Sequence, residues 1–160
     1  MPHSQDIQTR RLVPVAQKPK FDKLQVQKTK KILVIEDDED IKYPLLVRLE
    51  HLGYEVCSAA DGREGLFDII TLQPDVIVLD LFLPSLSGEE ICKSVREHED
   101  PAISGIPIIM VTAKGSQADQ IVGRMIGANA YLTKPFEFED LLKEIQKLTS
   151  TPRRGPGRSS

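Results

Sequence analysis

Five short, mostly apolar runs, each followed by a polar stretch, dominate the middle of the chain. They are rich in β-branched side chains, and two of them end abruptly at an acidic residue. Apolar runs of this length are typical of strands that are buried on both faces of a sheet. One run contains Pro107 near its start, where a strand tolerates proline. The sequence therefore predicts strands over residues 32–35, 54–59, 76–79, 106–111 and 130–133.

Between these runs, apolar residues recur at spacings of three and four, which is the helical period. The first such stretch ends at Gly53, a residue type that commonly ends helices, and the second follows Asp61, which can cap a helix N-terminus. The third follows Gly88, and a weaker pattern covers residues 117–126. The inward positions predicted in this way are Ile41, Leu45, Leu49 and Leu52, then Leu66, Ile69 and Ile70, then Ile91 and Val95, then Ile121, Val122 and Met125, and finally Leu141, Leu142, Ile145 and Leu148.

Strict alternation of strands and helices predicts an α/β fold in which helices cover both faces of a five-stranded parallel sheet. Right-handed crossovers produce a doubly wound sheet, for which we expect the strand order 2-1-3-4-5. Ligands of such sheets bind at the carboxyl ends of the strands, near the point where the strand order reverses. Candidate chemistry should therefore follow directly after the apolar runs.

Composition supports a globular domain and excludes several classes of protein. The chain has 160 residues, of which 40% are apolar and 28% are charged. No apolar run approaches the roughly 20 residues needed to cross a bilayer, so we expect no membrane association. Two cysteines, Cys57 and Cys92, are too few for a disulfide framework or for a thiolate metal site.

The net charge of −3 combines an acidic body with two basic ends. Residues 1–30 hold seven Lys or Arg and two Asp, and residues 150–160 hold three Arg and no acid. The part between them holds 11 Lys or Arg and 22 Asp or Glu. We therefore expect a basic, mostly flexible arm over residues 1–29, a folded domain over residues 30–149 and a disordered basic tail over residues 150–160.

Polar residues follow four of the predicted strands. Glu36 and Asp37 come after the first, Asp80 after the third, Thr112 after the fourth and Lys134 after the fifth. Because these strands are neighbours in the expected order, three carboxylates, a hydroxyl and an ammonium group should share one cleft. Clustered carboxylates repel one another, and a hard divalent cation such as Mg²⁺ would compensate that repulsion.

The residue types in this cleft suit phosphoryl transfer. A carboxylate can attack a phosphoryl group and form an acyl phosphate, while positive charges neutralise the phosphoryl oxygens. Asp80 is the candidate nucleophile because it stands alone at the end of a central strand, and the Thr112 hydroxyl can donate a hydrogen bond to the phosphoryl group. Taken singly, each residue is an ordinary cap or loop residue, so the hypothesis depends on their combination. Residues 38–40 are expected only to favour a helix N-terminus.

Four segments of this region closely resemble the motifs of response regulator receiver domains. They are KILVIEDD at residues 31–38, DVIVLDLFLPSLSG at 75–88, IIMVTA at 108–113 and YLTKPF at 131–136. The resemblance covers about residues 30–149 and implies a flavodoxin-like fold. It implies that Asp80 is the phosphoacceptor. Glu36, Asp37 and Asp80, with the backbone carbonyl of Phe82, would then hold Mg²⁺ or Mn²⁺.

The same resemblance implies a switch and a set of partners. Thr112 and Lys134 would match the hydroxyl residue and the lysine that approach the phosphoryl group, and Tyr131 would match the aromatic residue that then turns inward. A histidine kinase or a histidine phosphotransfer protein would donate the phosphoryl group, and a downstream protein would bind the altered surface. The domain would catalyse its own phosphorylation and dephosphorylation. The resemblance implies a cytoplasmic bacterial protein and leaves a homodimer open.

Three departures from the family pattern change these expectations. Phe82 and Lys114 occupy positions that flank the path of the attacking water in this family, which predicts slow loss of the phosphoryl group. Residues 127–130, with the sequence GANA, lack the acids common in the DNA-binding subgroup. Pro44 lies early in the first predicted helix, where only the first turn tolerates proline, and it can alter the kinase-docking surface.

Several other interpretations stay open. The chain could be a degenerate receiver that binds proteins without being phosphorylated. No DNA-binding domain is visible in the sequence, which favours a stand-alone receiver that acts through protein contacts. The chain could also be the receiver fragment of a longer regulator, since ends rich in Pro, Gly and Arg often begin linkers. Another alternative is an aspartate phosphatase of the haloacid dehalogenase type. Such enzymes usually have a second acid two residues after the nucleophile, where this chain has Phe82, which disfavours this alternative. The basic ends could bind nucleic acid, although they hold no stacking aromatic residue beyond Phe21.

Overall fold

The computed structural model describes residues 29–113 and 126–150. Strands and helices alternate along these residues as the apolar pattern predicts. The elements are β1 (Lys31–Ile35), α1 (Glu39–His51), β2 (Glu55–Ala59), α2 (Gly62–Leu72), β3 (Val76–Asp80), α3 (Gly88–Arg96), the single-turn α4 (Pro101–Ser104), β4 (Ile108–Thr112), β5 (Ala130–Thr133) and α5 (Phe138–Ser150).

The five strands form one parallel sheet in the order β2-β1-β3-β4-β5, which confirms the predicted fold. The register places Asp80 of β3 opposite Val111 of β4, and Thr112 opposite Thr133 of β5. Because all the strands run the same way, their carboxyl ends lie at one edge of the sheet. That edge is where the polar residues of the candidate cleft follow the strands.

Two apolar layers hold the sheet between its helices. Alternate residues of β1 point to opposite faces, as the period of a strand requires. Ile32 and Val34 pack in the layer formed with α1 and α5, whereas Leu33 and Ile35 pack in the layer formed with α2, α3 and α4. All four side chains are at most 1% exposed. Burying each contributes roughly 1.5–3 kcal/mol, which makes β1 a rigid support for the residues that follow it.

Acidic residues begin the two helices that flank β2. Asp38 caps α1, where its side chain accepts a hydrogen bond from the Asp40 backbone N–H at 2.9 Å. Asp61 caps α2 and accepts from the backbone N–H groups of Arg63 and Glu64 at 2.8 and 3.0 Å. Both caps satisfy N–H groups that have no partner within the helix. The expected roles of Asp61 and of residues 38–40 at helix starts are thereby confirmed.

Two of the predicted inward positions are wrong. Ile70 is 39% exposed and Leu52 is 54% exposed. Neighbouring residues on a helix point about 100° apart, so Ile69, which is fully buried, takes the inward position and Ile70 cannot share it. Leu52 follows the last residue of α1 and therefore leaves the helical face.

Two strands begin later than predicted. β2 begins at Glu55 rather than at residue 54, and β4 begins at Ile108 rather than at residue 106. Pro107 lacks an N–H group and cannot donate to the sheet, although its carbonyl oxygen accepts from the Ile77 N–H at 2.9 Å.

Two short features of the helices also differ from the sequence pattern. The turn α4 was not predicted, because it contains a single inward apolar residue, Ile103. Pro44 lies beyond the first turn of α1, and the helix continues through it to His51.

Several expectations fall on residues that the structure does not describe. The basic arm apart from Thr29 and the tail apart from Ser150 lie outside the described residues, as does almost all of the weak helix predicted over residues 117–126. Ser150, predicted to begin the disordered tail, is instead the last residue of α5. Among the residues that are described, every helix is too short or too polar to cross a bilayer.

Candidate functional site

Three carboxylates meet at the carboxyl edge of the sheet, as the sequence predicts. Glu36 and Asp37 directly follow β1, and Asp80 is the last residue of β3. One carboxylate oxygen from each of the three lies within 4.8 Å of the others. Glu36 is 3% exposed and Asp80 7%, whereas Asp37 is exposed. The cluster therefore combines two buried acids with one that faces solvent.

Lys134, which follows β5, places its ammonium group between the two buried acids. Its Nζ lies 2.5 Å from Glu36 Oε1 and 3.2 Å from Asp80 Oδ2. Burial by itself would lower the pKa of Lys134, but the hydrogen bond to Glu36 and the charges of Asp80 and Glu36 raise the pKa above its ordinary value. Lys134 is therefore positively charged at neutral pH, beside the candidate nucleophile.

The surroundings of Glu36 disfavour the ionised form of its carboxyl group. Burial, together with the hydrogen bond and the negative charge of Asp80, raises its pKa from 4.5 to about 8, against a smaller lowering by Lys134. Its second oxygen, Oε2, is buried and has no hydrogen-bond partner among the described residues. A buried acceptor without a partner is costly unless a ligand satisfies it.

This donor set fits a hard divalent cation. Mg²⁺ prefers oxygen ligands and is usually held by one or two carboxylates while it keeps several waters. Glu36, Asp37 and Asp80 supply carboxylate oxygens, and the unpartnered Glu36 Oε2 is an available acceptor inside the cluster. The exposed Asp37 would let a hydrated ion enter from solvent.

The orientation of Asp80 is fixed by groups on both sides of its carboxylate. Oδ1 accepts a hydrogen bond from the Phe82 backbone N–H at 3.2 Å, while Oδ2 faces Lys134. The first residue of α3, Gly88, lies directly against the backbone of this strand end. A Cβ atom at Gly88 would lie only 2.3 Å from the Asp80 carbonyl oxygen, so this position requires glycine.

The remaining predicted site residues lie around this centre. Thr112 is completely buried at the end of β4, and its carbonyl oxygen accepts from the Lys134 backbone N–H at 2.8 Å. Tyr131, in β5, packs against the apolar layer that contains Met110. Phe82 is 50% exposed, just after β3. Lys114, the last of the predicted site residues, lies outside the described residues.

Ser85 is a residue near the site whose contact the sequence analysis missed. Its hydroxyl donates to Asp61 Oδ1 at 2.9 Å, which joins the loop after β3 to the start of α2. The available signal was a small polar residue directly after Pro84, a composition typical of turns. That signal predicts a turn but does not predict its partner on another helix.

Comparison with known proteins identifies the family. Residues 32–146 match the family model described as the response regulator receiver domain, and the chain belongs to this family. Receiver domains of this kind are parts of two-component signalling systems. The fold, the acidic cluster and the lysine beside it agree with that membership.

Individual relatives point the same way. The chain is 46% identical over 119 residues to the alkaline phosphatase synthesis transcriptional regulatory protein PhoP of Bacillus subtilis. That alignment covers 74% of this chain and 48% of PhoP, so the chain spans about half the length of this relative.

Two solved structures resemble the fold closely. The receiver domain of a Francisella response regulator is 34% identical, with a TM-score of 0.72 that covers 76% of this chain and 98% of that one. The receiver domain of a sensor histidine kinase from Pseudomonas aeruginosa is 30% identical, with a TM-score of 0.70 that covers 78% of this chain and 100% of that one. The latter is described with a magnesium ion coordinated in its active-site cleft.

Proposed function

We propose that residues 30–149 form a phosphoacceptor domain in which Asp80 receives a phosphoryl group in a Mg²⁺-dependent reaction. The observation that carries this proposal is the contact between Lys134 Nζ and Asp80 Oδ2 at 3.2 Å, inside a buried cluster of carboxylates. Membership of the receiver family supports the same assignment. The donor would be a histidine kinase or a histidine phosphotransfer protein.

The reaction is a direct displacement at phosphorus. An oxygen of the ionised Asp80 carboxylate attacks the phosphorus, and a new O–P bond forms. The P–N bond of the donor phosphohistidine breaks, and the imidazole nitrogen keeps the electron pair of that bond. With acetyl phosphate as the donor, a P–O bond breaks instead and acetate leaves.

The residues of the cleft hold the reacting groups and neutralise their charge, which is most of what phosphoryl transfer requires. Lys134 stabilises negative charge on the transferred group, and the Phe82 N–H keeps the Asp80 carboxylate in its orientation. Glu36, Asp37 and Asp80, with the carbonyl of Phe82, would hold the cation. Mg²⁺, or Mn²⁺ in its place, supplies neutralisation of the phosphoryl oxygens when bound.

The protein donor would approach over a groove that opens beside Lys134. The groove has a volume of about 500 Å³ and lies between α1 and the start of α5. Pro44 belongs to its wall, so this helix-interior proline shapes the surface that a donor would contact. The lining residues are Asp40, Ile41, Pro44, Leu45, Arg48, Lys134, Pro135, Phe136, Glu137 and Phe138.

The output of the domain would be a change of surface around β4 and β5. The phosphoryl group carries about −1.5 to −2 units of charge, and because the Asp80 carboxylate loses its own charge on becoming an acyl phosphate, this residue gains about one negative charge in all. The added oxygens would attract the Thr112 hydroxyl and Lys134, and Tyr131 would repack as Thr112 moves. A downstream protein that binds one form more tightly would then respond to phosphorylation.

Acetyl phosphate provides the test. Purified protein is incubated with acetyl phosphate and Mg²⁺, and the intact mass is measured. We expect wild type to gain one phosphoryl group and Asp80→Asn to gain none. Asp38→Asn is the matched control: it neutralises a nearby acid but keeps an oxygen that can cap α1, so it should still be phosphorylated.

Two other outcomes would replace this proposal. No mass gain in folded wild type would favour a degenerate receiver that acts as a binding module. Steady release of phosphate over many turnovers would favour a phosphatase.

A further inference from the structure

The loop between β3 and α3, residues 81–87, contains the carbonyl of Phe82 that would contact the metal. This loop is attached to the start of α2 by side-chain and backbone contacts. The Ser85 hydroxyl donates to Asp61 Oδ1 at 2.9 Å and accepts from the Arg63 backbone N–H at 3.1 Å. The Gly62 backbone N–H donates to the Pro84 carbonyl oxygen at 3.0 Å.

Two backbone features show that the loop and the start of α2 are packed tightly against each other. A Cβ atom at Gly62 would lie 2.1 Å from the Leu86 carbonyl oxygen, so α2 and the loop approach each other more closely than any other residue type allows. Ser85 has a φ of 67°, in the left-handed region that non-glycine residues seldom adopt. A surrounding structure must hold a residue in that conformation.

We propose that Ser85 and Asp61 form a latch that positions the Phe82 carbonyl for the metal, which makes Ser85 a positioning residue of the site. This inference rests on the proposed function, since it assumes that the cleft binds Mg²⁺. Asp61 Oδ1 accepts from three donors at once: Ser85 Oγ and the backbone N–H groups of Arg63 and Glu64. The same atom therefore caps α2 and holds the loop.

The latch controls the site through a short path. Ser85 is three residues from Phe82, whose N–H also donates to Asp80 Oδ1. Release of Ser85 would leave the middle of the loop attached to α2 only through the Gly62 N–H on the Pro84 carbonyl oxygen, while the two ends of the loop stay joined by the Gly88 N–H, which donates to the Leu81 carbonyl oxygen at 2.9 Å. We therefore expect the Phe82 carbonyl to become less ordered without loss of the fold.

Three substitutions separate the hydrogen bond from the backbone conformation. Ser85→Gly accepts the positive φ but removes the hydroxyl. Ser85→Asn also tolerates the positive φ and keeps a donor that can reach Asp61. Gln73→Gly is the matched control, because Gln73 has a φ of 47° at the opposite end of α2.

Mg²⁺ affinity, measured by titration calorimetry on the full chain, is the first measurement. We expect Ser85→Gly to bind Mg²⁺ about tenfold more weakly than wild type, the lower end of the effect of groups that orient metal ligands. Ser85→Asn and Gln73→Gly should bind within about twofold of wild type. Amide hydrogen exchange without metal is the second measurement, and Ser85→Gly should speed exchange at Phe82.

The outcomes distinguish this inference from the proposed function. If wild type binds Mg²⁺ and Ser85→Gly matches Gln73→Gly in affinity and in exchange, the latch is wrong while the proposed function stands. If folded wild type does not bind Mg²⁺, the proposed function fails and the positioning role fails with it.

Discussion

Two cationic side chains at opposite ends of the sheet have different kinds of partner: one contacts charged carboxylates and the other donates to neutral oxygens. Lys134, at the carboxyl edge, contacts the carboxylates of Glu36 and Asp80. Arg96, at the end of α3, donates within the described part of the chain to neutral oxygens, each at 2.8 or 2.9 Å. Its acceptors are the backbone carbonyls of Ser104, Ile106 and Gly127 and the side-chain oxygen of Asn129.

The difference shows how a functional cluster can be told from a structural one. Arg96 joins α3, α4 and the start of β5 with each guanidinium nitrogen hydrogen-bonded, which is how buried polar groups stabilise a fold. The Lys134 cluster instead brings like charges together and leaves Glu36 Oε2 without a partner among the described residues. That arrangement costs stability and is useful only with a ligand, which is typical of functional sites.

The largest effect should come from removing Lys134, the cation proposed to act in phosphoryl transfer. We expect Lys134→Met to slow phosphorylation by acetyl phosphate by about 100-fold, because the charge that neutralises the phosphoryl oxygens is lost. The rate is measured from the intact mass over time, at a temperature where the variant remains folded by circular dichroism. Arg96→Met is the comparison, and its folded fraction should react at the wild-type rate. Equal slowing in both variants would end the distinction between the two cations.

Removal of the structural cation should act on stability instead. We expect Arg96→Met to lower the free energy of unfolding in urea by about 2 to 3 kcal/mol, because three part-buried backbone carbonyl oxygens lose the hydrogen bonds that Arg96 donates. Lys93→Met on the same helix is the control, since Lys93 is exposed, and it should change stability by under about 0.5 kcal/mol. A loss from Arg96→Met as small as that of the control would show that these hydrogen bonds contribute little.

The same contrast explains which features the sequence could predict. The strands and the cleft were predictable because an apolar run and the polar residue after it are adjacent in the chain. Parallel strands then bring Glu36, Asp80 and Lys134 to one edge. Resemblance to a family with known motifs added the roles proposed for these residues.

Contacts between distant loops were not predictable in this way. Arg96 meets Asn129 across 33 residues, and Ser85 meets Asp61 across 24. Nothing in a helical or strand period marks such a partner, because polar residues in turns have many alternatives. The exposure of Ile70 was missed for a related reason: two adjacent apolar residues on a helix do not reveal which of them faces the sheet.

The pH dependence of stability should show the cost of ionising Glu36 in the cluster around Lys134. The pKa of Glu36 rises from 4.5 to about 8 in the folded protein, so the folded state binds a proton more tightly than the unfolded state. This contribution to stability is present below pH 4.5 and is lost as the pH rises towards about 8. Without Mg²⁺, wild type should therefore lose about 2 to 3 kcal/mol more than Glu36→Gln between pH 5 and pH 8.

Urea unfolding at several pH values measures that difference directly. Mg²⁺ should restore wild-type stability at pH 8, where about half of Glu36 is already ionised, and should have less effect at pH 5, where a proton competes for the carboxylate. Parallel pH profiles for wild type and Glu36→Gln would show that Glu36 is not strained in the free protein.

The smallest expected effect is on the rate at which water hydrolyses the acyl phosphate of Asp80. Phe82 is an apolar residue, 50% exposed, that follows Asp80, the proposed phosphoacceptor, by two positions, and its bulk should hinder the attacking water. We expect phosphorylated wild type to lose its phosphoryl group with a half-life of minutes or longer. Phe82→Asn should shorten that half-life by about fivefold, which corresponds to about 1 kcal/mol in the barrier.

The control for this change is Phe67→Asn on α2, since Phe67 is 66% exposed and lies outside the acidic cleft. Its half-life should equal that of wild type, because an exposed phenyl group away from Asp80 cannot shield the acyl phosphate. Decay is followed by intact mass after the donor is removed, with Mg²⁺ present. A wild-type half-life of seconds would contradict the shielding role, and it would place the control of phosphoryl lifetime elsewhere in the cleft.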